Sequence, residues 1–263
     1  MSWLRRARAG RWVHFLALPL AGLDPRLGAA SLLAVARGVV VAFAVLAFGY
    51  LLNAVTDRLM DRPAKNPLAT GAAPRTLPAE LAVLVGLALA ASALAPACAR
   101  IAAAVCLVSG VLYSAGPRLK RYPVVGSLAN VTNFVPLMWV GAADDGVPRG
   151  LVPLAIVLGC MLLQNQLIHE AADREEDRAG GVRTSVLVLG ARRASVVAAA
   201  LGAGVVGGSH ALGAPMGLIG LVYVVAFPLA LAAAGADDAR MQRLRVVHRV
   251  VSVVAGALLF AMR

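Results

Sequence analysis

Acidic side chains are concentrated in two short stretches of this sequence, and each stretch follows a long apolar run. Asn53, Asp57 and Asp61 recur every four residues after the first run. Five of the thirteen acidic residues fall between Glu170 and Asp177, after the second. Residues four apart share one face of a helix. Because like charges at that spacing repel each other, we expect a cation to hold these carboxylates in place.

A divalent metal is the cation that this pattern favours. Asp173 and Asp177 are also four residues apart, so both stretches present carboxylates on one helical face. Mg²⁺ takes oxygen ligands, keeps several waters and binds substrate phosphates as well as protein carboxylates. Two such clusters facing each other could hold two or more Mg²⁺ ions and a diphosphate. Basic residues of the neighbouring loops could take the remaining charge: Arg62, Lys65, Arg118, Lys120, Arg121, Arg178 and Arg183.

The composition indicates which elements must position these residues. The chain has 263 residues, of which 60% are hydrophobic and only 14% charged, whereas soluble domains carry about 25% charged residues. Apolar runs of about 20 residues are typical of transmembrane helices. We therefore predict an all-α, polytopic membrane bundle of about nine helices around a central cavity with cytoplasmic cap loops. The predicted spans are 12–23, 33–54, 79–97, 99–115, 123–142, 151–172, 193–211, 214–234 and 246–262.

The basic residues predict the orientation of this bundle. The net charge of +12 lies mostly in alternate loops and at the N-terminus, which carries Arg5, Arg6, Arg8 and Arg11. Loops rich in Lys and Arg face the cytoplasm. We therefore expect a multi-pass protein of the cytoplasmic (inner) membrane, with the N-terminus and both acidic stretches on the cytoplasmic side. Charge distributed in this way does not indicate a nucleic-acid partner.

The two acidic stretches also predict how the chain is organised. Asp57 follows the second predicted span and Asp173 follows the sixth, so the stretches are four spans apart. This spacing suggests two similar halves, at about 12–115 and 123–234. We expect these halves to form one domain that covers residues 1–263.

A diphosphate at the mouth of an apolar cavity implies a lipid-soluble tail, and a polyprenyl diphosphate fits that description. The metal ions would stabilise the departing diphosphate, and an acceptor would capture the prenyl cation. Aromatic faces, among them that of Tyr113, can stabilise such a cation. The sequence leaves the acceptor open among aromatic and lipid-like compounds, including hydroxybenzoate, quinone precursors, porphyrin-type rings, glycerol phosphates and sugar phosphates.

These motifs resemble those of the UbiA superfamily of intramembrane prenyltransferases. Asn53-x₃-Asp57-x₃-Asp61 is similar to its first motif, and Asp173-x₃-Asp177, followed by Gly181 and Thr184, is similar to its second. The segment from Tyr113 to Lys120 resembles the one that follows its fourth helix. The resemblance covers most of the chain up to about residue 190.

The resemblance implies a Mg²⁺-dependent transfer of a prenyl group from a diphosphate donor, within a helical bundle that opens laterally to lipid. It implies five metal ligands, namely Asn53, Asp57, Asp61, Asp173 and Asp177. Tyr113 would lie beside the scissile bond, and Lys65 and Lys120 would contact the donor's diphosphate. The positive charge of the same loops adds Arg62, Arg118 and Arg178 as candidate diphosphate-binding residues. Asn66 differs from the family, which usually has an arginine there. Arg62 or Arg75 could replace that contact.

Three other interpretations remain open from the sequence. A membrane transporter can also use paired carboxylates, although a transporter is expected to place them near the middle of the bilayer. A terpene cyclase on the same fold would capture the cation internally and use no acceptor. A non-catalytic lipid-binding relative would have no need to retain both carboxylate motifs.

Overall fold

The computed structural model of the protein describes residues 2–61, 63, 66–69, 73–146, 150–179, 181–214, 217–233 and 238–261. Over these residues every regular element is helical and no strand is present, so the all-α prediction is confirmed. Five of the described helices are long and apolar enough to cross a membrane, and three further apolar helical segments are shorter. The chain is therefore an integral membrane protein.

The first of two compact units comprises Met1–Leu119 and Thr132–Pro148. Its α-helices are α1 (Trp3–Arg6), α2 (Ala29–Thr56), α3 (Leu77–Ser92) and α4 (Ala97–Ser114), and its 3₁₀ segments are Ala9–Arg11, Val13–Gly22, Pro25–Leu27 and Val135–Met138. At 1.5 Å per residue, the 28 residues of α2 are more than long enough to span a bilayer core. Its C-terminal end delivers the first acidic motif.

Glycines allow the 3₁₀ segment Val13–Gly22 to pack closely against other backbone in this unit. A Cβ atom on Gly22 would lie 2.5 Å from the carbonyl carbon of Gly141, and one on Gly38 would lie 2.8 Å from the carbonyl oxygen of Val140. A Cβ on Gly141 would collide with the carbonyl oxygen of Pro19. Contacts this short leave no space for a side chain, so these glycines set the distance between the backbones.

The second unit comprises Lys120–Val131 and Arg149–Arg263. Its helices are α5 (Val125–Val131), α6 (Leu151–Ala172), α7 (Arg174–Ala179), α8 (Ser185–Ala211), α9 (Gly217–Leu221), α10 (Phe227–Ala233) and α11 (Asp238–Ala261). A π-helical turn, Val222–Ala226, joins α9 to α10, and the 3₁₀ turn Leu119–Arg121 lies where the two units meet in sequence. Helix α6 delivers the second acidic motif at its C-terminal end.

A buried glutamine hydrogen-bonds a backbone carbonyl group of the π-helical turn. Gln164, on α6, is fully buried, and its Nε2 donates to the carbonyl oxygens of Ala198 (2.7 Å) and Tyr223 (2.9 Å). Because both amide hydrogens are used, Oε1 must accept from Nε2–H of His248 at 3.0 Å. The Nδ1 atom of His248 then accepts from the hydroxyl of Ser252. Backbone carbonyls in an apolar environment are thereby satisfied, as a membrane interior requires.

Three of the predicted spans are not continuous α-helices. Over its described residues, the span 214–234 is divided into α9, the π-helical turn Val222–Ala226 and α10. The span 12–23 is a 3₁₀ segment, Val13–Gly22, that contains Pro19, and the span 123–142 is divided into α5 and the 3₁₀ segment Val135–Met138. Proline has no N–H and its ring clashes with the preceding turn of an α-helix, which accounts for the 3₁₀ geometry around Pro19 and Pro136. Helix α8 also begins earlier than predicted, at Ser185. The count of nine membrane helices is not confirmed in the part of the chain that the structure describes.

Candidate functional site

The first acidic motif lies at the C-terminal end of α2, where its three side chains occupy successive turns. The amide of Asp57 donates to the carbonyl oxygen of Asn53 at 3.1 Å, and the amide of Asp61 donates to that of Asp57 at 2.8 Å. The helical spacing predicted from the sequence therefore continues beyond the last residue of α2. The Oδ1 atom of Asn53 accepts from the hydroxyl of Ser114, in the last turn of α4, at 3.3 Å. Tyr113 is half-buried next to that serine, which places its segment beside the first motif.

Each aspartate of this motif is paired with an arginine. Nη2 of Arg118 lies 2.7 Å from Oδ1 of Asp57, and Nη2 of Arg8 lies 2.8 Å from Oδ2 of Asp61. All four side chains are mostly buried. Both arginines adopt left-handed backbone conformations, with φ of 50° and 52°, which cost a non-glycine residue roughly 1–2 kcal/mol. Arg118 is a predicted site residue, whereas sequence analysis did not single out Arg8 from its neighbours.

The second acidic motif lies where α6 ends and α7 begins. The amide of Asp177 donates to the carbonyl oxygen of Asp173 at 2.9 Å, so the predicted helical spacing is again present. One carboxylate oxygen of Asp173 lies 3.7 Å from Nδ1 of His169, and the other lies 3.9 Å from Nη1 of Arg245. Arg178 is exposed, and Glu175 is its neighbour at 3.9 Å.

The residues that follow the second motif direct the chain into α8. Gly181 has φ of 66°, a left-handed conformation that glycine adopts without steric cost. Thr184 is the N-cap residue of α8, and its Oγ1 accepts from the amide of Leu187 at 3.4 Å. Both residues were matched to the family motif in the sequence, and these are their structural roles.

Glu170 belongs to the second acidic stretch, but its carboxylate is used within the protein. It is 8% exposed. Its Oε2 accepts from the amide of Val186 in the first turn of α8 at 3.1 Å, and its Oε1 accepts from the hydroxyl of Ser127 on α5 at 3.1 Å and from Nε2 of Gln166 at 3.2 Å. Glu170 therefore joins the end of α6 to α5 and to the start of α8. Sequence analysis counted this residue only as part of a charge cluster.

Of the remaining predicted site residues, the structure describes Lys120 but not Arg62 or Lys65. Lys120 is half-buried in the 3₁₀ turn Leu119–Arg121 of the second unit. Arg62 and Lys65 lie outside the described residues. Asn66 is fully buried, its Nδ2 donates to the carbonyl oxygen of Ala54 at 2.8 Å, and its Oδ1 accepts from the amide of Leu68 at 3.0 Å. Asn66 thus closes the loop after the first motif.

The oxygen atoms of the first motif fit Mg²⁺ when waters or a substrate phosphate complete its coordination. Among the described residues, no three His, Cys, Asp or Glu side chains are grouped so that they could hold a metal ion by themselves. Mg²⁺, however, is usually bound by one or two carboxylates together with waters and substrate phosphates. The oxygens of Asn53, Asp57 and Asp61 on successive turns can supply that small number of ligands.

Comparisons with known proteins identify a family whose model matches most of the chain. The model of the UbiA prenyltransferase family matches residues 12–260. A digeranylgeranylglyceryl phosphate synthase from Natronomonas pharaonis is 32% identical over 202 residues, which are 73% of this chain and 72% of that protein. The synthase of the same name from Methanoculleus marisnigri is 28% identical over 174 residues, or 65% of this chain, and the matched region spans only 62% of that relative's length.

The fold is also that of solved members of the family. A UbiA homolog from Archaeoglobus fulgidus, bound to DMAPP and Mg²⁺, superposes with a TM-score of 0.67 and 21% identity, and the match covers 100% of this chain and 99% of that one. The prediction of a prenyltransferase-class enzyme agrees with the family match, which covers nearly the whole chain. The order and helical placement of the two acidic motifs, together with this match, show that the chain belongs to the UbiA prenyltransferase family.

Proposed function

We propose that the protein is a Mg²⁺-dependent intramembrane prenyltransferase that moves a prenyl group from a prenyl diphosphate to an acceptor and releases diphosphate. The observation that carries the proposal is the end of α2, where two aspartates on successive turns are each held by a mostly buried arginine. This arrangement offers oxygen ligands for a metal and guanidinium donors for phosphate within one small region. It is also the arrangement expected for a donor whose head group is a diphosphate.

We assign separate roles in the reaction to the metal ligands, to Arg118 and to Tyr113. Asp57 and Asp61 at the end of α2 would hold Mg²⁺, and Asp173 and Asp177 at the end of α6 would each serve as a Mg²⁺ ligand in the second unit; Mg²⁺ when bound stabilises the negative charge of a leaving diphosphate. Arg118 would donate hydrogen bonds to phosphate oxygens, as guanidinium groups do in pairs. Tyr113 would face the prenyl carbon from which the diphosphate departs, where its ring can stabilise positive charge.

The relatives and the position of the motifs indicate which acceptor and which metal to test first, and whether the protein is an enzyme or a transporter. A glyceryl phosphate ether lipid is the first acceptor to test, because the two relatives are named digeranylgeranylglyceryl phosphate synthase. Mg²⁺ is the first metal to test, because a homolog of the same fold is bound to it with DMAPP. Both acidic motifs follow the ends of apolar helices, at Thr56 and Ala172, and this position favours an enzyme over a transporter. The basic loops favour a cytoplasmic active site in the inner membrane.

The proposal is tested by following the prenyl group and the diphosphate separately. The purified full chain in lipid nanodiscs is supplied with Mg²⁺ and a radiolabelled prenyl diphosphate, with and without a glyceryl phosphate lipid. We expect a prenylated lipid only when the acceptor is present, and at least a hundredfold slower turnover for Asp57→Ala and Asp173→Ala, both still inserted in the membrane. Diphosphate release without an acceptor, together with a cyclic hydrocarbon product in place of a prenyl alcohol, would identify a cyclase. Undiminished turnover in the two variants would refute the metal assignment.

A further inference from the structure

Arg8 is the cation that faces Asp61, although it lies 53 residues away in sequence. Its side chain is only 6% exposed, and its Nη2 contacts Oδ2 of Asp61 at 2.8 Å. A charged side chain is costly to bury unless it is paired. The ion pair with Asp61 therefore offsets the cost of burying the charge of Arg8 at this position.

The segment around Arg8 is held firmly within the first unit. Nη2 of Arg6 lies 2.9 Å from Oε1 of Glu80 on α3. Nε1 of Trp12 donates to the carbonyl oxygen of Ala7 at 2.7 Å, and Ala7 is fully buried. Arg8 itself is in the left-handed conformation, with φ of 52°. Strained backbone that is fixed by its surroundings occurs preferentially at functional sites.

The guanidinium of Arg8 has hydrogen-bond donors that remain to be used. Arginine presents five N–H donors in a rigid fork, and its Nη2 is the atom that contacts Asp61. Its Nε is buried and has no acceptor among the residues that the structure describes. A buried donor without an acceptor is destabilising, and Nε of Arg6 and of Arg118 is in the same state. Arg8 differs from Arg6 in that its guanidinium contacts a motif carboxylate, so an acceptor bound at the motif would lie within its reach. Phosphate oxygens match the geometry of this fork.

Asn66 does not supply the cation that the family usually has at its position, and Arg62 and Lys65 of the same loop lie outside the described residues. Asn66 uses both atoms of its amide on backbone groups of Ala54 and Leu68, and Arg75 is exposed. Two arginines, Arg8 and Arg118, are instead placed on the motif carboxylates. Their two positive charges offset the two negative charges of Asp57 and Asp61, which reduces the repulsion between these carboxylates and a diphosphate.

We propose that Arg8 is a diphosphate-binding residue of the active site. In the free protein its guanidinium is paired with Asp61, and in the substrate complex its remaining N–H groups donate to oxygens of the diphosphate. This inference rests on the proposed prenyltransferase function, because that function supplies the diphosphate. The contrary view is that Arg8 merely neutralises Asp61 and must be displaced when substrate and metal bind. The two views predict effects of opposite sign.

The test measures binding of geranyl S-thiolodiphosphate, an analogue that is not turned over, to the full chain in nanodiscs with saturating Mg²⁺ by calorimetry. We expect Arg8→Ala to raise the Kd at least tenfold, since a hydrogen bond to a charged group is typically lost. Arg8→Lys keeps the positive charge but lacks the planar set of N–H donors. We expect this variant to have a Kd that is raised at least threefold. The matched control is Arg6→Ala. Arg6 lies in the same segment but is paired with Glu80, and the Kd of this variant should stay within twofold of the wild-type value.

The outcomes separate this inference from the proposed function. A Kd for Arg8→Ala and Arg8→Lys that is unchanged or lower overturns the role of Arg8. An equal rise for Arg6→Ala also overturns it, because the effect then belongs to the segment as a whole. The proposed function fails separately if the wild-type chain neither binds the analogue nor turns over a prenyl diphosphate. A KM for the acceptor that is unchanged in Arg8→Lys, alongside the raised Kd, supports the assignment to the diphosphate.

Discussion

Replacing Glu170 by Gln tests whether this carboxylate has a structural role, in contrast to the proposed metal ligands Asp173 and Asp177. The amide keeps the shape of the side chain but replaces one oxygen by a hydrogen-bond donor. If the NH₂ group takes the place of Oε2, the amide of Val186 loses its acceptor; if it takes the place of Oε1, Nε2 of Gln166 does. Either orientation therefore removes one of the hydrogen bonds that the carboxylate accepts.

The expected cost follows from these contacts. A hydrogen bond to a charged group contributes about 1.5–3 kcal/mol, and a negative charge at the first turn of α8 contributes about 0.3–1 kcal/mol through the helix dipole. Removing a buried charge offsets part of this loss. We expect the free energy of unfolding to fall by about 2 kcal/mol, which corresponds to about 4–8 °C in Tm for a chain of this size.

The assay combines thermal denaturation in detergent with a Mg²⁺ titration of turnover. Glu170→Gln should lower the Tm while the Mg²⁺ concentration for half-maximal activity stays within about twofold. Glu175→Gln is the matched control, because that neighbouring side chain is 63% exposed and its loss should leave both quantities unchanged. A Tm that is unchanged or raised, together with a tenfold higher Mg²⁺ requirement, would show that Glu170 is a metal ligand and would refute the reasoning.

Three further predictions concern the metal, the diphosphate and the core of the second unit. EDTA should abolish turnover and excess Mg²⁺ should restore it, because the carboxylates alone cannot stabilise a leaving diphosphate; activity that persists in EDTA contradicts this. Lys120→Ala should raise the KM for the prenyl diphosphate about tenfold and leave the KM of the acceptor unchanged, as steady-state kinetics would show. Gln164→Leu removes three buried hydrogen bonds, each of which contributes about 0.6 kcal/mol in a membrane protein. It should therefore lower stability by about 2 kcal/mol in an SDS unfolding titration without changing either KM.

The features that could be predicted from the sequence are those that depend on nearby residues. The long apolar runs predicted α2 and α6, and the spacing of Asp57 from Asp61 and of Asp173 from Asp177 predicted side chains on successive helical turns. Helical periodicity and hydrophobicity are local properties. They place each motif on its helix without any knowledge of the packing.

The features that could not be predicted depend on residues distant in sequence. Arg8 is one of four arginines in the first eleven residues, and only the fold pairs it with Asp61. The role of Glu170 likewise depends on Val186, sixteen residues later, so composition alone assigned it to a charge cluster. The division of the predicted span 123–142, in contrast, has a local signal in Pro136, because proline disfavours a continuous α-helix; the apolar run alone does not show it.

The close contacts of Gly22 and Gly38 with the backbone near Gly141 have a consequence for the order in which the protein is made. Irregular backbone is not stable where it faces lipid and must be covered by other protein segments. The 3₁₀ segment that ends at Gly22 is synthesised about a hundred residues before the stretch that covers it. Stable burial of this N-terminal segment in the bilayer must therefore follow translation of residue 141. Ribosome-bound chains that stop before that residue should leave it accessible to reagents in the water phase.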